Sequence, residues 1–276
     1  MKKVNSIFLA LMLMLAASGF SQDPNFYIFL CFGQSNMEGV GPIEEQDLNV
    51  DSRFKVLQAI YCPNLERQSE RWYSAVPPNC QCYSKLSVSD YFGRTMVENL
   101  PENITVGIIN VAIGGCDIRI FDKDIHQDYD STYKQKWFQD KVDDYERNPY
   151  ARLIELAKIA QQDGVIKGIL LHQGETNTGD TAWPSYVNTI YNNILSDLSL
   201  NAESTPLLAG EVVGAEAGGC CSPMNAIINT LPETIPNAHV ISSEGCEALP
   251  DRAHFTSEGY RIMGRRYAET MLSILK

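Results

Sequence analysis

The sequence predicts an α/β fold of three layers, α/β/α, around a central parallel sheet. Three observations carry this. Short apolar runs alternate along the chain with segments of helical periodicity. The first of these runs, 26–32, is apolar or aromatic at every position, from Phe26 to Phe32. A strand with one wet face would alternate, so an unbroken run belongs in the middle of a parallel sheet, buried on both faces. Finally, no internal repeat, low-complexity stretch or Pro/Ser-rich linker divides the chain, which predicts one domain over 23–276.

Taken in order, residues 1–22 predict a secretory signal peptide. Lys2 and Lys3 make the basic start, 7–17 is the apolar core, and Ala17-Ser18-Gly19 offers small residues for cleavage. The apolar stretch is too short to favour a membrane anchor. No cysteine near the cleavage region suits a lipid anchor, so a secreted or periplasmic product is expected. Strands are then predicted at 26–32, 106–113, 166–171, 206–213 and 239–242. Helices are predicted at 90–100, 151–162, 185–198, 224–231 and 257–275. The last helix gathers Tyr260, Met263, Tyr267, Met271 and Ile274 near one face. Thr256 is placed to cap it, with Glu258 at the positive end of its dipole. Right-handed crossovers between parallel strands complete the expected layout.

Two stretches break this rhythm and read as long loops. Segment 41–89 carries Pro63, Trp72, Pro77 and Pro78, and 122–148 is dense in Asp, Lys, Tyr and Trp. Both follow strands, which puts them at the carboxyl edge of the sheet, where long ordered loops are usually functional. Trp72 and Trp137 are candidate flat faces for a sugar ring, against packing as the alternative.

The formal net charge of −12 makes nucleic acid and anionic membranes poor partners and suits a neutral or cationic one. All 8 cysteines lie beyond the leader, where export would permit disulfides. Cys31, in the buried strand, and Cys116, in a Gly-rich turn, are expected to be free. A bridge from Cys220 or Cys221 to Cys246 is expected, and one from Cys62 to Cys80 or Cys82. Irregular spacing with no accompanying histidine argues against zinc, so neither a metal nor any other cofactor is predicted.

The chemistry-bearing residues fall at strand ends. After the first strand, Gly33-Gln34-Ser35-Asn36-Met37 delivers a serine hydroxyl to the sheet edge. A nucleophilic Ser35 needs a base, and the chain has 4 histidines. His239 opens an apolar strand and His126 lies in a charged loop. His172 ends a strand in His172-Gln173-Gly174-Glu175, and His254 lies in Asp251-Arg252-Ala253-His254 before the last helix. An Asp three residues ahead of a His on a tight loop can hold Nδ1–H, leaving Nε2 to take the serine proton, so His254 is preferred over His172. Asp251 or Glu175 is the partnering acid, and both can surround His254. Oxyanion donors are expected from the backbone of Ser35, from Gly115 or Gly114 in the Gly-Gly turn, and from the Gln173 side chain.

These blocks resemble the signature of the SGNH-type carbohydrate esterases, and more narrowly carbohydrate esterase family 6. That family comprises acetylxylan esterases related to the sialate O-acetylesterases. The stretches 208–225 and 240–246 are also similar to it, so the likeness runs over nearly all of 26–275. The resemblance implies a flavodoxin-like SGNH hydrolase fold and metal-free release of acetate from acetylated xylan or xylo-oligosaccharides. It implies Ser35 as nucleophile, His254 as base, Asp251 and Glu175 as acids, and Gly115 and Gln173 in the oxyanion hole. GQS stands here for the wider pattern's GDS, and HQGE for G-x-N-D, so the usual oxyanion asparagine is missing from its block. The alternatives are an O-acetylesterase for sialic acid or pectin-type groups and a non-catalytic carbohydrate-binding module. A peptidase or lipase is disfavoured, because G-x-S-x-G is absent and no long apolar lid is seen.

Overall fold

The computed structural model describes residues 22–130 and 134–275, so the expected leader lies outside the described residues except for Gln22. Seven strands form one sheet in the order β3-β2-β4-β1-β5-β6-β7. They are β1 (Asp23–Gly33), β2 (Phe54–Leu57), β3 (Trp72–Ser74), β4 (Thr105–Ala112), β5 (Gly164–His172), β6 (Leu207–Gly210) and β7 (Ala238–Ile241). Every pairing is parallel except that of β3 with β2. The helices are α1 (Ser35–Glu38), α2 (Val88–Asn99), α3 (His126–Asp130), α4 (Lys136–Asp143), α5 (Pro149–Ala160), α6 (Trp183–Asp197), α7 (Met224–Ile228), α8 (Leu231–Thr234) and α9 (Ser257–Ile274).

The unbroken apolar run of β1 has a direct cause, because its alternate residues enter different layers. Ile28, Leu30 and Phe32 join the core formed with Leu153 and Leu156 of α5 and Ile190 and Ile194 of α6. Phe29 and Cys31 join Phe92 and Met96 of α2 and Tyr260, Met263 and Tyr267 of α9. Phe29 meets Phe92 edge to face at 4.9 Å, and Phe32 meets Phe121 at 5.3 Å. Truncating either phenylalanine to Ala would cost about 3–5 kcal/mol, which makes β1 the anchor of both layers.

Register decides where function can sit. Gly33 pairs with Ala112 of β4 on one side and with His172 of β5 on the other. The three central strands therefore end level, and the chain leaves β1 and β5 into polar turns and β4 into a Gly-Gly turn. After β1 the chain passes to β2 on one side, and after β4 it crosses to β5 on the other. Ligands in open α/β sheets bind at such a reversal. Gly33 is required there, since with φ at 146° a Cβ would come within 2.1 Å of the His172 carbonyl oxygen.

Several expectations are corrected. Segment 41–89 is not one loop, since it contributes β2 and β3 at the sheet edge. Their four and three residues are too short for a periodicity signal. Segment 122–148 holds α3 and α4, with 131–133 outside the described residues. The helix expected over 224–231 is two short helices, α7 and α8. Thr256 caps α9 as expected, its hydroxyl accepting the Gly259 N–H at 3.2 Å. Among the cysteines, Cys62 pairs with Cys82 and not with Cys80, which is buried and free. Closing that span of 20 residues stabilises the fold by about 3 kcal/mol on a chain-entropy estimate. No bridge joins Cys246 to the 220–221 pair: Cys246 is a buried free thiol, and Cys220 and Cys221 face each other with sulfurs 2.9 Å apart. Cys31 and Cys116 are free and buried.

Candidate active site

Ser35 is the first residue of α1, directly after the β1 turn. Its Oγ lies 2.8 Å from Nε2 of His254, and Nδ1 of the same ring lies 2.9 Å from Oδ2 of Asp251. A carboxylate can only accept, so Nδ1 carries the proton and Nε2 is left to accept from the Ser35 hydroxyl. The Asp251 loop is built to hold this geometry. Oδ1 accepts the backbone N–H groups of Ala253 (2.9 Å) and His254 (3.0 Å), while Arg252, directly after Asp251, takes the left-handed conformation at φ 60°. Burial alone would raise the Asp251 carboxyl. The hydrogen bonds from the His254 ring and the two backbone N–H groups outweigh it and hold the carboxyl below its usual range.

Glu175, beyond the end of β5, takes a different place. Its Oε1 accepts from Asn36 Nδ2 at 2.5 Å, and the same amide nitrogen donates to the Ala253 carbonyl at 3.0 Å. The Asn36 oxygen accepts from Tyr260 of α9 at 2.6 Å. Glu175 thus ties the serine turn to the histidine loop through Asn36, and Nδ1 of His254 is already occupied by Asp251. Its other oxygen, Oε2, is covered and has no protein partner, and burial pushes its carboxyl above the usual range. Glu175 lines the same cavity as Ser35 and His254, which has a volume of about 370 Å³.

The remaining histidines are placed away from this chemistry. His172 is fully buried, with Nδ1 3.2 Å from the Tyr267 hydroxyl, and burial lowers its pKa to about 3. Tyr267 donates its own proton to the Leu171 carbonyl, so His172 Nδ1–H is the donor in that contact. The folded chain holds this ring neutral while the unfolded chain protonates it near pH 6.5. Its contribution to stability is therefore complete above that pH and is lost as pH falls toward 3. We expect the stability of His172→Gln relative to the parent to improve by about 2 kcal/mol between pH 7 and pH 5, read from urea unfolding at both. His126 is buried beside the Lys123 carbonyl, and His239 lies on β7.

The turn after β4 supplies the opposite wall. Gly114 N–H is taken by Oε2 of the buried Glu38, whose Oε1 pairs with Lys141 of α4. The Gly114 N–H is therefore already engaged, unlike that of Gly115. Gly115 lines the cavity with φ at 80°, and a Cβ there would press on the Trp137 ring at 3.2 Å. No acceptor among the described residues engages the backbone N–H of Gly115 or of Ser35. Trp137 lines the cavity and is 53% exposed. Trp72 does not reach the site. Its ring packs on Phe26 (4.8 Å), near the amino end of β1, and its indole N–H binds Asp163 at 2.9 Å.

Gln173 is 1% exposed and is likewise not part of the cavity wall. Its Oε1 accepts the Trp183 indole N–H at 2.5 Å, which fixes the amide's orientation because indole only donates. Nε2 donates to the Cys116 carbonyl at 3.1 Å, to Asn177 and to Oε1 of Gln34 at 3.0 Å. That Gln34 oxygen also faces the backbone N–H groups of Gly174 (3.4 Å) and Thr176 (3.3 Å). Three donors on one oxygen set the Gln34 amide, and its Nε2 has no acceptor among the described residues although Gln34 lines the cavity. Gln34 is the residue that sequence reasoning left without a role, despite standing inside the GQSNM block. Glu38 and Lys141 were also passed over. The glutamate directly follows that block, but its partner is 103 residues away.

Residues 25–273 match the family described as carbohydrate esterase, sialic acid-specific acetylesterase. Solved structures share the fold at low identity. A protein from Arabidopsis thaliana matches with a TM-score of 0.70 at 20% identity, over 91% of this chain and 99% of its own. NanS matches at 0.63 and 16%, over 91% and 98%. A carbohydrate acetylesterase from Xanthomonas citri matches at 0.58 and 17%, over 87% of this chain and 55% of its own. The chain belongs to the family described as carbohydrate esterase, sialic acid-specific acetylesterase, and is a carboxylic ester hydrolase with an α/β fold.

Proposed function

We propose that this protein is an exported serine esterase that removes O-acetyl groups from acetylated xylan or xylo-oligosaccharides by a ping-pong mechanism. The observation that carries the mechanism is the continuous contact from Ser35 Oγ through both nitrogens of His254 to Asp251. Ser35 attacks the acetyl carbonyl as His254 Nε2 takes its proton, and Asp251 stabilises the imidazolium that forms. The backbone N–H groups of Ser35 and Gly115 and the Nε2 amide of Gln34 receive the developing oxyanion. His254 then gives that proton to the sugar oxygen as its bond to the acetyl carbon breaks, so the sugar leaves as a free hydroxyl. It next takes a proton from the attacking water and returns it to Ser35 Oγ as acetate is released.

In this reading Gln173 stands one step behind the oxyanion hole. It passes the orientation set by Trp183 to Gln34 and does not touch the substrate. Gln34→Glu keeps the acceptor for three donors but replaces the donating amide by a carboxylate that repels the oxyanion. We expect kcat to fall by about two to three orders of magnitude with KM changed far less. Steady-state kinetics on a chromogenic acetate ester checks this, and an unchanged kcat would remove Gln34 from the hole.

A neutral sugar is favoured by charge. Among the residues lining the cavity Lys141 is the only lysine or arginine, and it is already paired with Glu38, while Glu175 adds a second acid. A sialic acid substrate would bring its own carboxylate into this acidic site, although the family's description keeps that substrate as the second reading. Acetate release compared across acetylated xylan, O-acetylated sialic acid and acetylated rhamnogalacturonan decides between them. The expected order puts xylan first. Preference for sialic acid would overturn the assignment of substrate while leaving the mechanism intact.

A further inference from the structure

A second cavity, of about 400 Å³, adjoins the catalytic one, and the Glu38–Lys141 ion pair lines both. Its other walls include Gln81, Tyr83, Asp140 and Asp144. The Ser35 chemistry uses none of these side chains. Its volume lies in the range of small-ligand sites.

Tyr83 is the distinctive member. It is 85% exposed, more than any other large apolar or aromatic residue among the described ones, so packing does not account for its place. The backbone that presents it is fixed on both sides. Cys82, just before it, is bonded to Cys62. Just after it, Ser84 N–H closes a turn onto the Gln81 carbonyl at 3.1 Å, and Lys85 N–H donates to the Gly39 carbonyl at 2.9 Å. Gly39 ends α1, the helix that begins with Ser35, and its own N–H returns to the Ser35 carbonyl at 2.8 Å. The rim of the second cavity is thus hydrogen-bonded to the nucleophile's own helix. The backbone that carries the ring is ordered before any ligand arrives, so only the side chain's own rotamers remain to be fixed when a ligand stacks on it.

The chemistry of the walls narrows the ligand. An exposed aromatic face beside carboxylate and amide acceptors matches a sugar, which offers an apolar C–H face and a ring of hydroxyl donors. Three acids, Glu38, Asp140 and Asp144, line it with Lys141, and Lys136 pairs with Asp140 at 2.6 Å; the balance stays acidic, so an anionic sugar unit is disfavoured. Trp137 on the catalytic side and Tyr83 on the far side then flank the shared ion pair.

We propose that this second cavity is a sugar-binding subsite that holds a neutral unit next to the acetylated one, so that the protein selects oligomeric glycans over acetylated monosaccharides. The proposal rests on the carbohydrate-esterase reading and adds to it the length of the substrate. The test compares Tyr83→Ala, Tyr83→Phe and the parent enzyme on three esters: an acetylated xylo-oligosaccharide, acetylated xylose and p-nitrophenyl acetate. The parent should prefer the oligosaccharide to xylose by at least about tenfold in kcat/KM. Tyr83→Ala should cut that preference by about tenfold, through KM, and Tyr83→Phe should restore it because the stacking face is kept. An equal proportional loss on all three esters, or an unchanged preference in Tyr83→Ala, overturns the subsite. A parent with no preference for the oligosaccharide overturns it as well. A parent that cleaves none of the three esters brings down the esterase reading and the subsite with it.

Discussion

Ser35→Ala is expected to lower kcat on an acetate ester by three or more orders of magnitude while leaving the fold intact. The Oγ atom is the atom that forms the bond to the acetyl carbon, and its hydrogen-bond partner is His254. Removing it leaves only the background that oriented donors and binding give a water molecule, which accounts for a residual rate above zero. Stability should move by less than about 0.5 kcal/mol, because Ala is a good helix former at the start of α1 and no buried group depends on the hydroxyl. Acetate release and a thermal melt on the same preparation check both halves. A folded Ser35→Ala protein that kept its activity would be incompatible with the mechanism.

The second large effect concerns the two acids, which the sequence left open. Asp251→Asn should cost about two to four orders of magnitude in kcat, and Glu175→Gln less than about tenfold. Asn at 251 can still accept the Ala253 and His254 backbone N–H groups, so the loop survives. Its amide NH₂ then faces Nδ1 of His254 and drives the ring to the tautomer with Nε2–H, which cannot accept the serine proton. Gln at 175 still accepts from Asn36 at the Oε1 position, and its NH₂ replaces an oxygen that has no protein partner. Measuring kcat for both variants against pH separates tautomer from charge. A Glu175→Gln loss as deep as that of Asp251→Asn would show that the buried charge, and not the Nδ1 contact, supports His254.

How far the sequence could be read follows from how local each signal is. The strand β1 and the turn after it were legible because burial on both faces writes an unbroken apolar run. The Asp251–His254 pair was legible because its contact spans three residues on one turn. The short strands β2 and β3 were not, since four and three residues carry no period; β2 pairs with β4 and β3 with β2. The two amides near the serine were hard to tell apart for a different reason. Gln34 and Gln173 are both amides at strand ends, and only the indole of Trp183 and the N–H groups of Gly174 and Thr176 show which one faces the cavity. Trp72 and Trp137 likewise read alike as sequence, yet one pins the amino end of the sheet and the other lines the cavity. Cysteine pairing depended on loop paths that no spacing encodes.

Covalent labelling with a serine-directed phosphonate, followed by peptide mass spectrometry, tests the nucleophile most directly. The account predicts one phosphonyl adduct, on Ser35, forming in step with loss of esterase activity. It also predicts no adduct in Ser35→Ala and a much slower one in His254→Gln. An adduct on another residue, or full labelling of the Ser35→Ala protein, would contradict it.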